Sequence, residues 1–154
     1  MIVADSGAVY ALYDADDAHH SAVRGAIATI RESLHIPMAC LGEIDYLLRE
    51  RLGVAAELDF LAEIRRGRFI LEPLPLTDIT RCASLIQQYA ALELGLADAA
   101  VVATAERLKT KRVFTVDQRD FQTLRTAEGE RFIVIPSTAA VHAHPRKTSR
   151  RSKR

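Results

Sequence analysis

The stretch that decides the fold covers residues 95–121 and reads GLADAAVVATAERLKTKRVFTVDQRDF. Small and apolar residues at helical spacing follow Asp98, and a short apolar strand at 113–116 ends just before Asp117. An acid at a helix start is favoured by free N–H groups and the helix dipole. An acid just past an apolar strand lies where parallel α/β sheets form their ligand crevice. This one segment therefore supplies two carboxylates that could meet.

Short apolar strands alternate with amphipathic helices along the rest of the chain. This order predicts an α/β fold in which a short, mainly parallel sheet is flanked by helices on both faces. Leu58, Leu61 and Ile64, with Phe60 as a further candidate, are expected to face the core from one helix, and Ile79, Cys82, Leu85, Ile86 and Tyr89 from another. The predicted strands lie at 1–4, 36–40, 69–71, 113–116 and 132–135, and the predicted helices at 8–13, 18–33, 41–52, 54–66, 78–92 and 97–109.

The 154 residues suit a single domain with a sizeable core. No apolar run approaches the ~20 residues that span a bilayer, and the N-terminus lacks the basic region of a signal peptide. Cys40 and Cys82 have no metal-type spacing, so they are interpreted as reduced, buried thiols. The chain is therefore expected to be cytoplasmic, with no membrane contact.

The net charge of +1 conceals a basic C-terminal end. Six of the 21 Lys and Arg residues lie in 146–154, which leaves fifteen bases against 20 acids in the rest of the chain. We predict a folded domain at 1–140 and a basic, disordered tail at 141–154. Such a tail either serves solubility or attracts RNA phosphates.

Four acids occupy comparable places in the predicted scheme. Asp5 follows strand one, and Asp117 follows strand four. Glu43 lies in the first turn of the helix after strand two, and Asp98 begins the helix before strand four. Residues just after parallel strands gather at one sheet edge, which brings Asp5 and Asp117 near each other. Each acid alone is as well explained as a helix cap or turn residue.

Convergence of the four acids would require a counter-charge. Two carboxylates ~4 Å apart repel by about 4 kcal/mol at an effective dielectric near 20. A divalent cation removes this repulsion, and oxygen ligands without His or Cys select Mg²⁺ or Mn²⁺. Such ions prefer phosphate oxygens as further ligands and activate water, so the implied chemistry is phosphodiester hydrolysis.

Four segments in chain order resemble the PIN-domain ribonucleases, in particular the VapC-type toxins of toxin–antitoxin pairs. The matching segments are IVADSGAVYAL at 2–12, GEIDYLL at 42–48, GLADAAVVATAERL at 95–108 and VFTVDQRDF at 113–121. The resemblance implies a PIN-like three-layer sandwich. It also implies that Asp5, Glu43, Asp98 and Asp117 are catalytic and bind Mg²⁺ or Mn²⁺.

Ser6 and Thr115 match supporting positions of the family, and a fifth acid lies within reach of the site. The hydroxyls of Ser6 and Thr115 can hold a carboxylate or a metal-bound water, or they are an ordinary turn and strand residue. Asp120 is a fifth acid, ranked second to Asp117 as a ligand. Arg119 and Arg125 follow the same strand and can contact phosphates, or they are simply solvated.

The resemblance implies a toxin that cleaves structured RNA, tRNA or rRNA, and that forms a homodimer inhibited by a cognate antitoxin protein. The alternative is a catalytically idle PIN-like module that binds RNA or another partner. A phosphoacceptor receiver domain is disfavoured because Asp5-Ser6-Gly7 lacks its paired acids. His19 and His20 point about 100° apart on a helix and cannot chelate one ion. No Gly-rich phosphate loop occurs.

Overall fold

The computed structural model describes residues 1–137 and 139, so the predicted tail at 141–154 lies outside the described residues. Within the described part, five strands alternate with seven α-helices and one 3₁₀ turn, Ala90–Leu92. The strands are Ile2–Ala4 (β1), Leu34–Pro37 (β2), Phe69–Glu72 (β3), Arg112–Phe114 (β4) and Ile133–Ile135 (β5). The helices are Ser6–Tyr13 (α1), His20–Thr29 (α2), Met38–Leu52 (α3), Val54–Arg65 (α4), Leu76–Gln88 (α5), Leu96–Arg107 (α6) and Gln118–Thr123 (α7).

The five strands form one parallel sheet in the order β3-β2-β1-β4-β5. Its central strand β1 is short and wholly apolar, and Ile2, Val3 and Ala4 are all 0% exposed. A continuous apolar run is what a parallel strand covered on both faces requires. The predicted α/β sandwich with a parallel sheet is confirmed.

The strand order reverses direction at β1. From β1 the chain builds β2 and β3 on one side, and it then returns to build β4 and β5 on the other. Right-handed crossovers place α1 to α4 on one face of the sheet and α5 and α6 on the other. The carboxyl ends of β1 and β4 thus flank the position where open α/β sheets bind ligands.

Helix α6 is the most deeply buried helix of the fold. Every residue from Ala99 to Ala105 is buried, and only its two ends carry acids and bases. A helix that is apolar all round is one that is covered all round. Its first turn carries Asp98, and its last turn carries Arg107. The helix therefore holds two charged groups at fixed places on opposite ends of the core.

Two predicted boundaries were wrong. The second strand ends at Pro37, and α3 already begins at Met38, so Glu43 lies in the second helical turn rather than the first. Ile36 and Cys40 are both 0% exposed, because the strand end and the helix start pack into the same core. The apolar run at 36–40 therefore contains the junction and is not a single strand. The helix predicted at 18–33 is shorter and covers His20–Thr29.

The buried face of α4 agrees with the prediction for Phe60 but differs from it for two leucines. Leu58 and Leu61 are 59% and 44% exposed, whereas Phe60 is fully buried. The Phe60 ring packs edge-on against Tyr13, with centroids 6.2 Å apart, and against Phe69 at 5.5 Å. Aromatic packing of this kind outweighs the burial of two leucines and sets the rotation of the helix.

On helix α5, too, only some of the residues predicted to face the core are buried. Cys82 and Leu85 are buried as predicted, but Ile79 and Ile86 are 45% and 36% exposed. Cys40 and Cys82 are unpaired and buried, in agreement with the prediction. Among the described residues, no helix combines the length and the apolar character that crossing a membrane demands.

Candidate metal centre

Asp5 lies at the centre of the carboxyl edge of the sheet. It follows β1, precedes the first residue of α1 and is only 5% exposed. Its peptide N–H donates to the Phe114 carbonyl at 2.9 Å, which ties it to the end of β4. The chain thus places a carboxylate in the crevice between the two strands where the sheet order reverses.

Thr115 holds two of the predicted acids together. Its Oγ1 donates to Asp5 Oδ2 at 2.9 Å and accepts the peptide N–H of Asp117 at 3.0 Å. Thr115 is fully buried, so this hydroxyl has few alternative partners. The predicted supporting position of Thr115 is therefore a contact that orients Asp5 and the loop carrying Asp117.

The Ser6 hydroxyl orients Glu43 in the same way that Thr115 orients Asp5. The Ser6 hydroxyl lies 2.6 Å from Glu43 Oε2, to which it donates, and 3.3 Å from Asp5 Oδ1. Ser6 is 5% exposed, while Glu43 is exposed on α3. A buried hydroxyl thus links the carboxylate after β1 to a carboxylate that reaches in from the neighbouring helix.

Asp98 is the third residue of α6, and its Oδ2 accepts the peptide N–H of Gly95 at 3.2 Å. The N-cap residue is Gly95, so the alternative explanation of Asp98 as the cap does not apply. The reciprocal bond of a capping box is made instead. The carboxylate is half-buried and lies beside the positive end of the helix.

Asp117 is the N-cap of the short helix α7, and its Oδ1 accepts the peptide N–H of Asp120 at 3.1 Å. Both side chains are half-buried. The structure brings the fifth acid, Asp120, into range of the charges of Asp117 and Asp98. The ranking of Asp117 over Asp120 as a ligand stays a prediction.

The pKa values show that the acids act on one another. Burial raises the pKa of Asp5 to about 6, a rise that the Thr115 hydrogen bond reduces and that the charges of Asp98 and Glu43 increase. Burial also raises the pKa of Asp98, and the charges of Asp117, Glu43 and Asp120 add to the rise. The four predicted acids therefore form one electrostatic cluster at this edge of the sheet.

The donor set fits a hard divalent cation. All the donors are carboxylate and hydroxyl oxygens, which Mg²⁺ and Mn²⁺ prefer. Within residues 1–137 and 139, no three acid, His or Cys side chains are already gathered into a cation cage. The carboxylates of Glu43, Asp98 and Asp117 instead accept hydrogen bonds from Ser6, Gly95 and Asp120, and a cation would have to draw them together.

Two residues lie near the cluster although the sequence did not place them there. The Cys40 thiol is close enough that burial and the charges of Asp5, Glu43 and Asp98 raise its pKa, and its Sγ lies 3.7 Å from the Ala97 carbonyl. It is thus a neutral group that links the starts of α3 and α6. At Gly7 a Cβ would come within 3.1 Å of Val116 Cγ2. No sequence pattern marked either position.

The other residues considered as metal ligands or phosphate contacts lie outside the acid cluster, and most of them already have a bonding partner. His20 Nδ1 contacts the Ala11 carbonyl at 2.7 Å, and His19 Nδ1 lies 3.2 Å from Asp17. The Arg125 guanidinium donates to the carbonyls that end α7, so that side chain is engaged in closing the helix. Arg119 is exposed and is the one of the two predicted phosphate contacts that faces solvent.

Comparison with known proteins identifies the class that this fold and site define. The PIN domain family model matches residues 2–126. The chain is 36% identical over 135 residues to Ribonuclease VapC26 of Mycobacterium tuberculosis (strain ATCC 25618 / H37Rv), covering 88% of this chain and 100% of that protein. The chain therefore belongs to the PIN domain family, among its VapC-type members.

Solved structures show the same fold. The crystal structure of Mycobacterium tuberculosis VapC20, a Sarcin-Ricin loop cleaving toxin, superposes with a TM-score of 0.69 at 22% identity and covers 77% of this chain and 92% of that one. A toxin–antitoxin complex from Klebsiella pneumoniae gives a TM-score of 0.62 at 17% identity, covering 79% and 90%. The predicted family and fold are confirmed.

Proposed function

We propose that this protein is a divalent-metal-dependent endoribonuclease that acts as the toxin of a toxin–antitoxin pair. The observation that carries the proposal is the cluster of Asp5, Glu43, Asp98 and Asp117, which influence one another's ionisation at the switch point of the sheet. The relative VapC26 is named a ribonuclease, and its match extends over 135 residues. An idle module would not need four acids whose mutual repulsion disfavours the metal-free fold.

The side chains of the cluster have two roles, metal binding and the orientation of the metal ligands. Asp5, Glu43, Asp98 and Asp117 would hold the cation, while Ser6 and Thr115 orient two of these carboxylates. When bound, Mg²⁺ or Mn²⁺ supplies Lewis acidity that activates water and offsets charge on the scissile phosphate. Asp120 adds negative charge beside the cleft, so RNA must be held by groups outside the cluster.

The proposal extends to substrate class, partners and location. The substrate is structured RNA such as tRNA or rRNA, and the protein acts in the cytoplasm. A cognate antitoxin restrains it, as the complex from Klebsiella pneumoniae suggests for a protein of this fold. The exposed apolar residues Leu76 and Ile79 of α5, at 78% and 45% exposure, support a homodimer that covers them.

Incubation of the purified chain with total RNA tests the proposal. We expect fragments when Mg²⁺ or Mn²⁺ is present and none when EDTA is added. Glu43→Gln should cut at least about 100-fold more slowly, since losing a metal ligand should cost more than losing a group that orients one. Asp45→Asn is the matched control on the same helix and should cut normally. Equal cutting by the native chain and Glu43→Gln would refute the proposed site.

The Thr115 hydroxyl offers a second prediction. Thr115→Val removes both hydrogen bonds without changing the volume much, so Asp5 and the Asp117 loop lose their shared anchor. The cleavage rate should fall about 10- to 100-fold, as for other residues that orient metal ligands. Thr115→Ser keeps the hydroxyl and should stay within a few-fold of native. Initial rates at a fixed Mg²⁺ concentration measure this, and equal rates for the Val and Ser variants would contradict it.

A further inference from the structure

Tyr46 is an exposed aromatic residue on the helix that carries Glu43. Its side chain is 63% exposed, and it is the one aromatic residue among the exposed large hydrophobics of the described chain. The rings of Tyr13, Phe60 and Phe69 pack in one group and those of Phe121 and Phe132 in another, and Tyr10 lies under the Arg51 guanidinium. The packing of the domain therefore does not account for the position of Tyr46.

Tyr46 lies on α3 one helical turn after Glu43. Tyr46 follows Glu43 by three positions, so the two side chains lie on neighbouring rows about 5–6 Å apart at Cβ. Long side chains on a helix lean toward its N-terminus and cover the preceding turn. Because α3 begins at the carboxyl edge of the sheet, this general lean is toward the end of the helix that carries Glu43.

The chemistry around the cleft requires such a group. The acid cluster repels the phosphates of its own substrate, so binding needs a contact that does not depend on charge. A nucleobase stacked on an aromatic ring supplies that contact and tolerates any base.

We propose that Tyr46 stacks a nucleobase beside the scissile phosphate, an inference that rests on the proposed ribonuclease function. The substrate segment at the cleft is then single-stranded, because a paired and stacked base cannot present its face to a side chain. The contact acts on substrate binding, so its loss raises KM more than it lowers kcat. Stacking energies of this kind correspond to about a 5- to 150-fold weaker affinity when the ring is removed.

Binding of two labelled probes tests the proposal. The first is a 12-residue oligoadenylate, and the second is the same chain with abasic ribose at every position. The native protein and Tyr46→Phe should prefer the oligoadenylate by at least about tenfold, whereas Tyr46→Leu should bind both probes alike and cleave RNA with a raised KM. Leu58→Ala, an exposed residue on the neighbouring helix, should behave as native.

A spectroscopic measurement supplements the binding assay. The chain has no Trp and 4 Tyr residues, so tyrosine emission is not masked. The oligoadenylate should quench this emission in the native protein but not in Tyr46→Phe, which still binds the probe. A static contact within the protein fold would not produce that difference.

Three results would overturn the proposal. If Tyr46→Leu still prefers the oligoadenylate, the ring does not stack a base. If that variant changes the molecular mass in solution and leaves KM unaltered, Tyr46 belongs to a protein interface. If the native chain cleaves total RNA but does not distinguish the two probes, only the stacking contact is wrong. Failure of the native chain to cleave RNA under any metal condition would remove the proposed function as well.

Discussion

Asp5→Asn should abolish RNA cleavage and at the same time stabilise the metal-free protein. Loss of cleavage is expected to exceed about 100-fold, because Asp5 is the acid that links β1, β4 and the Glu43 side of the cleft. The gain in stability follows from burial, which raises the pKa of this carboxyl to about 6 from 3.8. An ionised Asp5 therefore destabilises the folded state at neutral pH.

The raised pKa of Asp5 makes the stability of the folded protein depend on pH. A carboxyl whose pKa is higher in the folded state binds more protons there, so the fold loses stability as pH rises. The loss begins near pH 4, grows up to about pH 6 and is complete above it. Its size is about 3 kcal/mol at neutral pH. The asparagine carries no charge, and its amide oxygen can still accept the bond from Thr115.

Denaturant unfolding at several pH values, with EDTA present, measures this effect. The native chain should unfold more easily at pH 7.5 than at pH 5, and Asp5→Asn should show a smaller difference between the two. Mg²⁺ should stabilise the native chain and have little effect on the variant, because a ligand stabilises only the state that binds it. Asp45→Asn serves as the control. A variant less stable than native at pH 7.5 would contradict the account.

Arg107→Met should destabilise the fold by about 3 to 5 kcal/mol without touching the acid cluster. The Arg107 guanidinium donates to Asp78 Oδ2 at 2.8 Å, to Glu72 Oε2 at 3.1 Å and to the Pro73 carbonyl at 3.0 Å. Glu72 and Asp78 are only 8% and 5% exposed. Removing the cation leaves two carboxylates with little water, which is the costly way to break a buried ion pair.

The neighbouring groups can replace only part of the pairing that the two carboxylates lose with Arg107. His35 Nδ1 lies 2.7 Å from Glu72 Oε1, so one carboxylate retains a partner while Asp78 loses the only ion pair it has in the described structure. Methionine preserves much of the apolar stem of arginine, which separates the effect of charge from that of packing. The network joins the end of β3 and the start of α5 to the end of α6.

The matched control is Arg66→Met. Its partner Glu63 is 34% exposed and Arg66 itself is 68% exposed, so this exposed pair should be worth less than about 1 kcal/mol. Thermal or denaturant unfolding of both variants at pH 7.5 provides the comparison. Equal losses for Arg107→Met and Arg66→Met would show that the buried network does not stabilise the fold in the way described.

Much of the fold could be predicted because local signals agreed. The apolar run of β1, the alternation of strands with helices and the acid after each central strand all indicate a parallel sheet with a site at its carboxyl edge. The faces of the outer helices could not be predicted in this way. On α4 the spacing of Leu58 and Leu61 is as regular as that of any core stripe, yet of the residues expected inside only Phe60 is fully buried.

By itself, the sequence determined the order of elements, the parallel sheet and four acids suited to a divalent cation, since these depend on residue type and local periodicity. Only the tertiary structure decided that β1 and β4 are neighbours, because strand order is set by packing across the sheet. That adjacency lets Thr115 bond to an aspartate 110 positions away and lets Ser6 reach Glu43 on another helix. Contacts between residues so distant in the chain have no local signature, and they bring separate acids to one edge of the sheet.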